Sequence, residues 1–326
     1  MPELEELQSF IQSEKEPIIF LDSCICLHII KVVDYGKNAT NIDFTKIIAL
    51  KEYLTNKPIK LSPFFGIMEL CIKDGALDEN KLWDFKHRID FFEQISLKEF
   101  KKFRYDFKRD YFILKEGQSK LVNPYQAIEP SLMNSYCALL KIRSLAINGL
   151  TKEAAEKNIN SFLDWMVDEL DNIRAIEYKL ALNIFGGNTV FRKMIGLDCK
   201  QSEVKKRVKG TCWDIFNSKN TTNSFRLFEI LERNITPFFL TSDANLFSIF
   251  KNFSLTLIKD GGENFTSSFL LNSDFAFPHL EEDFIDRQNK KTMEIFVDRH
   301  NINYEFDKKK VNQLIKHLEI ENKLTS

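Results

Sequence analysis

The stretch Pro17-Ile18-Ile19-Phe20-Leu21-Asp22-Ser23 decides the fold class. A short unbroken apolar run bounded by polar residues reads as a strand covered on both faces, the kind found in parallel sheets. An acid follows it at once. Positions just beyond the carboxyl end of a parallel strand line the crevice in which open α/β sheets bind ligands. A second run, Pro237-Phe238-Phe239-Leu240-Thr241-Ser242-Asp243, ends in the same manner. Capping of the following helix accounts for either acid taken singly. Two strands ending alike weigh toward a shared site.

Outward from these strands the chain reads as α/β. Helices are expected over 2–13, 24–33 and 43–55, and a strand over 58–61. Ser62-Pro63 then gives a helix start, with Ser at the cap and Pro at the first helical position. That helix carries Glu69 and runs to near Gly75. From about 80 to 205 the pattern is helical. Its clearest stretch is 161–185, where Phe162, Met166, Leu170, Ile173, Ile176, Leu180 and Ile184 recur every three or four residues before Gly186-Gly187. A helix beginning near 211 carries Asp214 in its first turn, and 223–233 is amphipathic. A short helix over 245–250 and a final strand over 254–258, closed by Gly261-Gly262, follow the second acid. Two helices fill 282–323. The expected organisation is an α/β core with a central parallel sheet in two parts, 1–80 and 208–265. A helical insertion over 81–207 separates them, and a C-terminal helical extension covers 266–326.

The chain has 326 residues, enough for one large domain or two small ones. With 44% hydrophobic and 29% charged residues it has the composition of a soluble globular protein. The net charge of −1 means that any nucleic-acid surface must be local. Thirty Phe against 11 Gly and 8 Pro favour long helices around a thick core. The six cysteines (Cys24, Cys26, Cys71, Cys137, Cys199, Cys212) include no CxxC pair, which disfavours zinc and favours free thiols in a reducing compartment. Cys24 and Cys26 are expected on one face of a strand or strand exit. The acidic start (Glu3, Glu5, Glu6) is unlike a signal peptide, and no run reaches the roughly 18 apolar residues of a membrane span. The expectation is a cytoplasmic protein with no membrane partner.

Glu69 interrupts an otherwise apolar helix, where a charge is costly unless it is exposed, paired or metal-bound. Carboxylates gathered at strand ends are how a protein collects hard oxygen ligands around Mg²⁺ or Mn²⁺. The ordered set Leu21-Asp22-Ser23, Glu69-Leu70, Trp213-Asp214-Ile215 and Thr241-Ser242-Asp243 resembles a PIN domain, a family of metal-dependent ribonucleases that includes toxin ribonucleases. The matching parts are roughly 16–75 and 208–262, under half of the chain. Cys24 stands where the family often has Asn, and the gap from Glu69 to Asp214 is long for the family. Glu177 is therefore an alternative source of the second acid.

The resemblance implies a three-layer α/β/α fold and hydrolysis of phosphodiester bonds, with RNA as the substrate. It makes Asp22, Glu69, Asp214 and Asp243 the catalytic acids and ligands of Mg²⁺ or Mn²⁺, with Ser23 and Thr241 behind them. It also admits an antitoxin or other regulatory protein as partner, and the apolar C-terminal helices admit a second copy. Two basic stretches suit single-stranded or structured RNA. Lys98–Arg109 alternates cations (Lys101, Lys102, Arg104) with aromatics suited to base stacking, and Lys205-Lys206-Arg207 precedes Asp214. An amphipathic helix with Phe inward accounts equally for the first, and a solvated loop for the second. The histidines show no ligand spacing. No GxxxxGK[ST], GxGxxG or GxSxG motif is present. The alternatives are a PIN-like module that binds nucleic acid or protein without catalysis, and a metal-dependent phosphatase on a similar sheet.

Overall fold

The computed structural model describes residues 2–73, 75–105, 107, 124–222, 234–244, 246–247, 253–259, 265–271, 277–299 and 305–324. The chain divides into two compact units, 1–127 with 216–243, and 128–215 with 244–326.

The first unit is built on a parallel three-stranded sheet. Strand β1 (Glu16–Leu21) lies between β2 (Lys60–Ser62) and β5 (Ile235–Leu240). Ile19 pairs with Leu61 on one side and with Phe238 on the other. From Ile18 to Leu21 the strand is buried on both faces, which is why it reads as an unbroken apolar run. Five helices of this unit are α1 (Leu4–Gln12), α2 (Ser23–Tyr35), α3 (Phe44–Asn56), α4 (Phe64–Cys71) and α5 (Glu79–Gln94). A two-residue hairpin, β3 (Ile72–Lys73) with β4 (Ala76–Leu77), joins α4 to α5. The chain thus leaves β1 through two helices to reach β2, while β5 lies against the other side of β1. The carboxyl ends of the strands, where Asp22 and Thr241 stand, are the ligand-binding end of such a sheet. The protein is accordingly α/β with a parallel sheet, and no barrel occurs among the described residues.

The Lys98–Arg109 stretch does not form one helix. A short α6 (Leu97–Lys101) ends before Lys102, and Asp106 and the residues from Lys108 onward lie outside the described residues. Its aromatics face the core. Phe100 stacks edge-on against Phe92 at 5.1 Å and lies parallel to Tyr105 at 6.0 Å. Phe107 meets Phe91 at 5.1 Å, and the Tyr105 hydroxyl donates to the Val32 carbonyl at 2.7 Å. The inward-Phe reading holds, and these rings are engaged in packing rather than presented to bases. Beneath them Arg88, 1% exposed, donates through Nε to Asp34 at 2.7 Å and through Nη1 to Asp84 at 2.5 Å, with the Phe107 ring 5.3 Å away. This clamps α5 to α2.

The second unit contains α7 (Pro124–Asn148), α8 (Lys152–Asp168), α9 (Ala175–Phe185), most of α10 (Val204–Thr222), α11 (Glu282–Arg299) and α12 (Lys308–Glu321). The periodic stretch 161–185 is therefore two helices, not one. Asp171 takes the left-handed conformation (φ 55°), and its carboxylate receives Arg299 at 2.8 Å, which holds the break. The periodicity continues across it because Leu170 is buried as well. Gly187, at φ 101°, ends α9 where the Gly pair predicted a stop. The expected last strand, β6 (Phe253–Lys259), belongs to this unit and pairs antiparallel with β7 (Phe265–Leu271), apart from the parallel sheet. Residues 223–233 lie outside the described residues.

Removing Arg88 strands two carboxylates that α2 and α5 hold half out of water. Arg88→Met should lower the unfolding free energy by about 3 kcal/mol. Urea unfolding measures it, and a change near zero would mean that desolvation of the trio offsets its attraction.

Candidate active site

Asp22 follows β1 directly and caps α2. Its backbone N–H donates to the Leu240 carbonyl at 3.0 Å, which extends the β1–β5 ladder by one rung and fixes the residue at the sheet end. The side chain is 3% exposed. Oδ1 accepts from the Ser23 N–H at 2.7 Å. Oδ2 accepts from the Thr241 hydroxyl at 2.7 Å and from the Cys24 thiol at 3.0 Å. Capping and the site are thus one arrangement: one oxygen serves the helix, and the other faces the groups that end β5. Thr241 in turn accepts the Asp243 N–H at 2.9 Å, so one hydroxyl ties the loop after β5 to the acid after β1.

Glu69 reaches the same place through an unusually close contact. A Cβ built on Gly66 would stand 2.6 Å from the Leu21 carbonyl oxygen and 2.9 Å from Cys26 Sγ, closer than real Cβ atoms come. Only glycine lets α4 settle onto the end of β1. Glu69, one turn further on, shares that helix face. It is half-buried and accepts from the Asn217 side-chain amide at 3.3 Å and from the Ser23 hydroxyl. Phe216, beside Asn217, packs edge-on against Phe65 of α4 at 5.8 Å. Burial first, and the charge of Asp22 second, push the Glu69 carboxyl up to about 8. Gly66 and Asn217 carried no motif signal in the sequence; the apolar Phe64–Ile72 run around Gly66 was the only hint.

Asp22, Glu69, Ser23 and Thr241 are therefore brought together, with Cys24 and Asn217 added. The Cys24 sulfur also lies 3.1 Å from the Ser242 hydroxyl. Cys24 and Cys26 sit on a helix rather than on one face of a strand, and all six cysteines are free. Asp243 is half-buried in the loop that Thr241 ties down. Asp214 is not in the first turn of its helix. It stands well inside α10, in the second unit, and lines a concavity with Lys206, Arg207 and Gly210. Glu177 is no substitute acid: it is 2% exposed and receives both Nε and Nη2 of Arg174, at 3.0 and 2.8 Å.

The basic residues separate by engagement. Lys101 pairs with Glu52 on α3, and Lys205 pairs with Glu319 on α12 at 3.0 Å. Lys102, Arg104, Lys206 and Arg207 are exposed.

Two other acids come with a cation, Glu177 with Arg174 and Asp34 with Arg88, whereas half-buried Glu93 accepts the Leu61 N–H. Asp22 and Glu69 form no ion pair with a described residue, and their hydrogen-bond donors are all neutral. Among the described residues no three His, Cys, Asp or Glu side chains gather closely enough to hold a metal ion between them. The site is a carboxylate pair, which is the number of protein ligands a hydrated Mg²⁺ commonly takes. Its donor set therefore fits a hard divalent cation that keeps several waters.

No protein-family model matches the chain, no curated protein is similar to it, and no solved structure matches it.

A carboxyl held at about 8, against its ordinary 4.5, stabilises the fold fully below 4.5, and that contribution is lost as pH rises through 8. Thermal melts in EDTA should fall across this window, and Glu69→Gln should flatten the fall. Gly66→Ala should lower stability by roughly 1–3 kcal/mol through overpacking. It should also weaken the pH dependence, because it moves α4 and Glu69 away from Asp22.

Proposed function

We propose that the chain is a divalent-metal-dependent phosphodiesterase acting on RNA, with its reaction centre at the carboxyl end of the parallel sheet. The observation that carries this reading is the adjacency of Asp22 and Glu69, two acids drawn together with no cationic side chain of a described residue paired to them. The sheet order and the succession of Asp22, Glu69 and Asp243 along the chain support its likeness to a PIN domain.

In this reading Asp22 and Glu69 hold Mg²⁺ or Mn²⁺. A cation there supplies Lewis acidity, lowering the pKa of a water and neutralising charge on the phosphoryl group. Thr241 and Ser23 keep the two carboxylates aimed, each through its hydroxyl. Asp243, on the loop that Thr241 anchors, adds negative charge at the mouth of the site. No lysine or histidine base is needed among these residues, because the acids act by binding and orienting. The assignment uses residues of the first unit alone.

A second reading is a non-catalytic binding module. The Cys24 thiol and the Thr241 hydroxyl already occupy Asp22 Oδ2, and this favours it.

The test is cleavage of mixed-sequence single-stranded RNA and DNA with Mn²⁺. Asp22→Asn and Glu69→Gln should each reduce the rate by at least ~100-fold, as expected when a transition-state electrostatic group is lost. Thr241→Val should reduce it less. Undiminished cleavage by both acid variants sinks the proposal. Absence of cleavage together with no Mn²⁺-dependent thermal stabilisation supports the binding module instead.

A further inference from the structure

The concavity on α10 in the second unit is lined by Glu203, Lys206, Arg207, Gly210, Thr211 and Asp214 and has a volume of about 390 Å³. The positions 203, 206/207, 210 and 214 recur every three or four residues, so they share one helix face. Two features set this face apart from an ordinary solvated one.

The first is charge. Lys205 next door is neutralised by Glu319, and Lys209 lies over the Tyr136 ring at 5.9 Å. Lys206 and Arg207, two adjacent cations at the rim, form no ion pair with any described residue. The second is Gly210. No described residue lies within 4 Å of where its Cβ would be. A glycine inside a helix is less favourable than alanine there. Here no packing contact with a described residue explains it. Its effect is to leave the floor of the concavity open down to the helix backbone. Thr211 forms a fixed wall, because its hydroxyl is committed to the Met194 carbonyl at 2.7 Å.

Asp214 is seven residues past Arg207, about 10 Å along the helix axis. The face therefore offers two cations beside Glu203 at one end, glycine in the middle and, at the other end, the Asp214 carboxylate, which has a partner within the protein and keeps further lone pairs to accept with. A ligand that satisfies both ends has anionic oxygens and hydroxyl donors separated by a few ångströms. We propose that this concavity binds a ribose phosphate unit. The phosphate sits between Lys206 and Arg207, where the guanidinium fork suits it. The sugar lies over Gly210, and the ribose hydroxyls donate to Asp214. The volume falls within the range of small-ligand pockets, at the size of one nucleotide. The same chemistry is presented by a free nucleoside monophosphate and by the phosphorylated end of an RNA strand.

The experiment is isothermal titration of the full chain in EDTA, without turnover, so its outcome is independent of the hydrolysis reading. The probes are adenosine 5′-monophosphate, its 2′-deoxy counterpart, inorganic phosphate and a 5′-phosphorylated oligoribonucleotide. Saturable binding of the ribonucleotide or of the oligoribonucleotide is expected. The stronger of the two identifies the source. Lys206→Ala with Arg207→Ala should weaken it at least tenfold, and Asp214→Asn should reduce the preference for ribose over deoxyribose. Gly210→Leu should abolish binding with little change in melting temperature, since the space for the side chain is open. Lys209→Ala should change nothing. The proposal is overturned if no probe saturates, if inorganic phosphate binds as tightly as the nucleotide, or if the double variant and Gly210→Leu both bind like wild type.

Discussion

The close seating of α4 on the carboxyl end of β1 is the constraint on which the candidate site depends. A backbone oxygen of Leu21 and the sulfur of Cys26 occupy the space where any side chain on residue 66 would sit. The approach brings Glu69 to Asp22, and Phe65 to the cluster formed by Ile18, Phe20 and Ile235. Phe216 and Asn217 complete it from α10, one by an aromatic edge and one by an amide. Packing and electrostatics are here opposed. Apolar contacts and a hydrogen-bonded end of the sheet hold two carboxyl groups together, and burial first, then the charge of Asp22, raises the Glu69 pKa.

The treatment of buried charge elsewhere gives this pair its meaning. Arg88 is shared by Asp34 and Asp84, and Arg174 is spent on Glu177. Lys51, buried beside Phe92, donates to the Glu93 carbonyl, while the Glu93 carboxylate accepts the Leu61 N–H. In each case a local partner offsets the cost of burial. Asp22 and Glu69, like Glu93, receive only neutral donors among the described residues.

The basic segments carry a different lesson. Lys98–Arg109 has the alternation of cations and aromatics that suits a single strand of nucleic acid, yet its rings build the contact between α5 and α6. Lys101 and Lys205 are spent on ion pairs with residues distant in sequence, whereas Lys206 and Arg207 pair with no described residue. Which cation in a basic run is available is decided by acids that fold up beside it, and no local pattern encodes this.

Read alone, the sequence was sufficient for the parallel sheet, because a strand buried on both faces must be apolar throughout and β1 is. It was sufficient to place several helices of the first unit, because an apolar run between polar breaks is local, although Ser62 ends β2 rather than capping α4 and that helix stops at Cys71, before Gly75. It also indicated that Asp22 and the Thr241–Asp243 loop stand at strand ends, since the acid or hydroxyl follows the apolar run directly. The break at Asp171 escaped the periodicity, because a left-handed residue held by Arg299 leaves the apolar spacing intact. The antiparallel pairing of β6 escaped because strand partners are chosen at a distance. Tertiary structure alone decided that Glu69 joins Asp22, that Glu177 does not, and that Asp214 lines a concavity of its own. The physical reason is the same in all three cases: a carboxylate's role is set by what surrounds it, and here its neighbours come from elements far away in the chain.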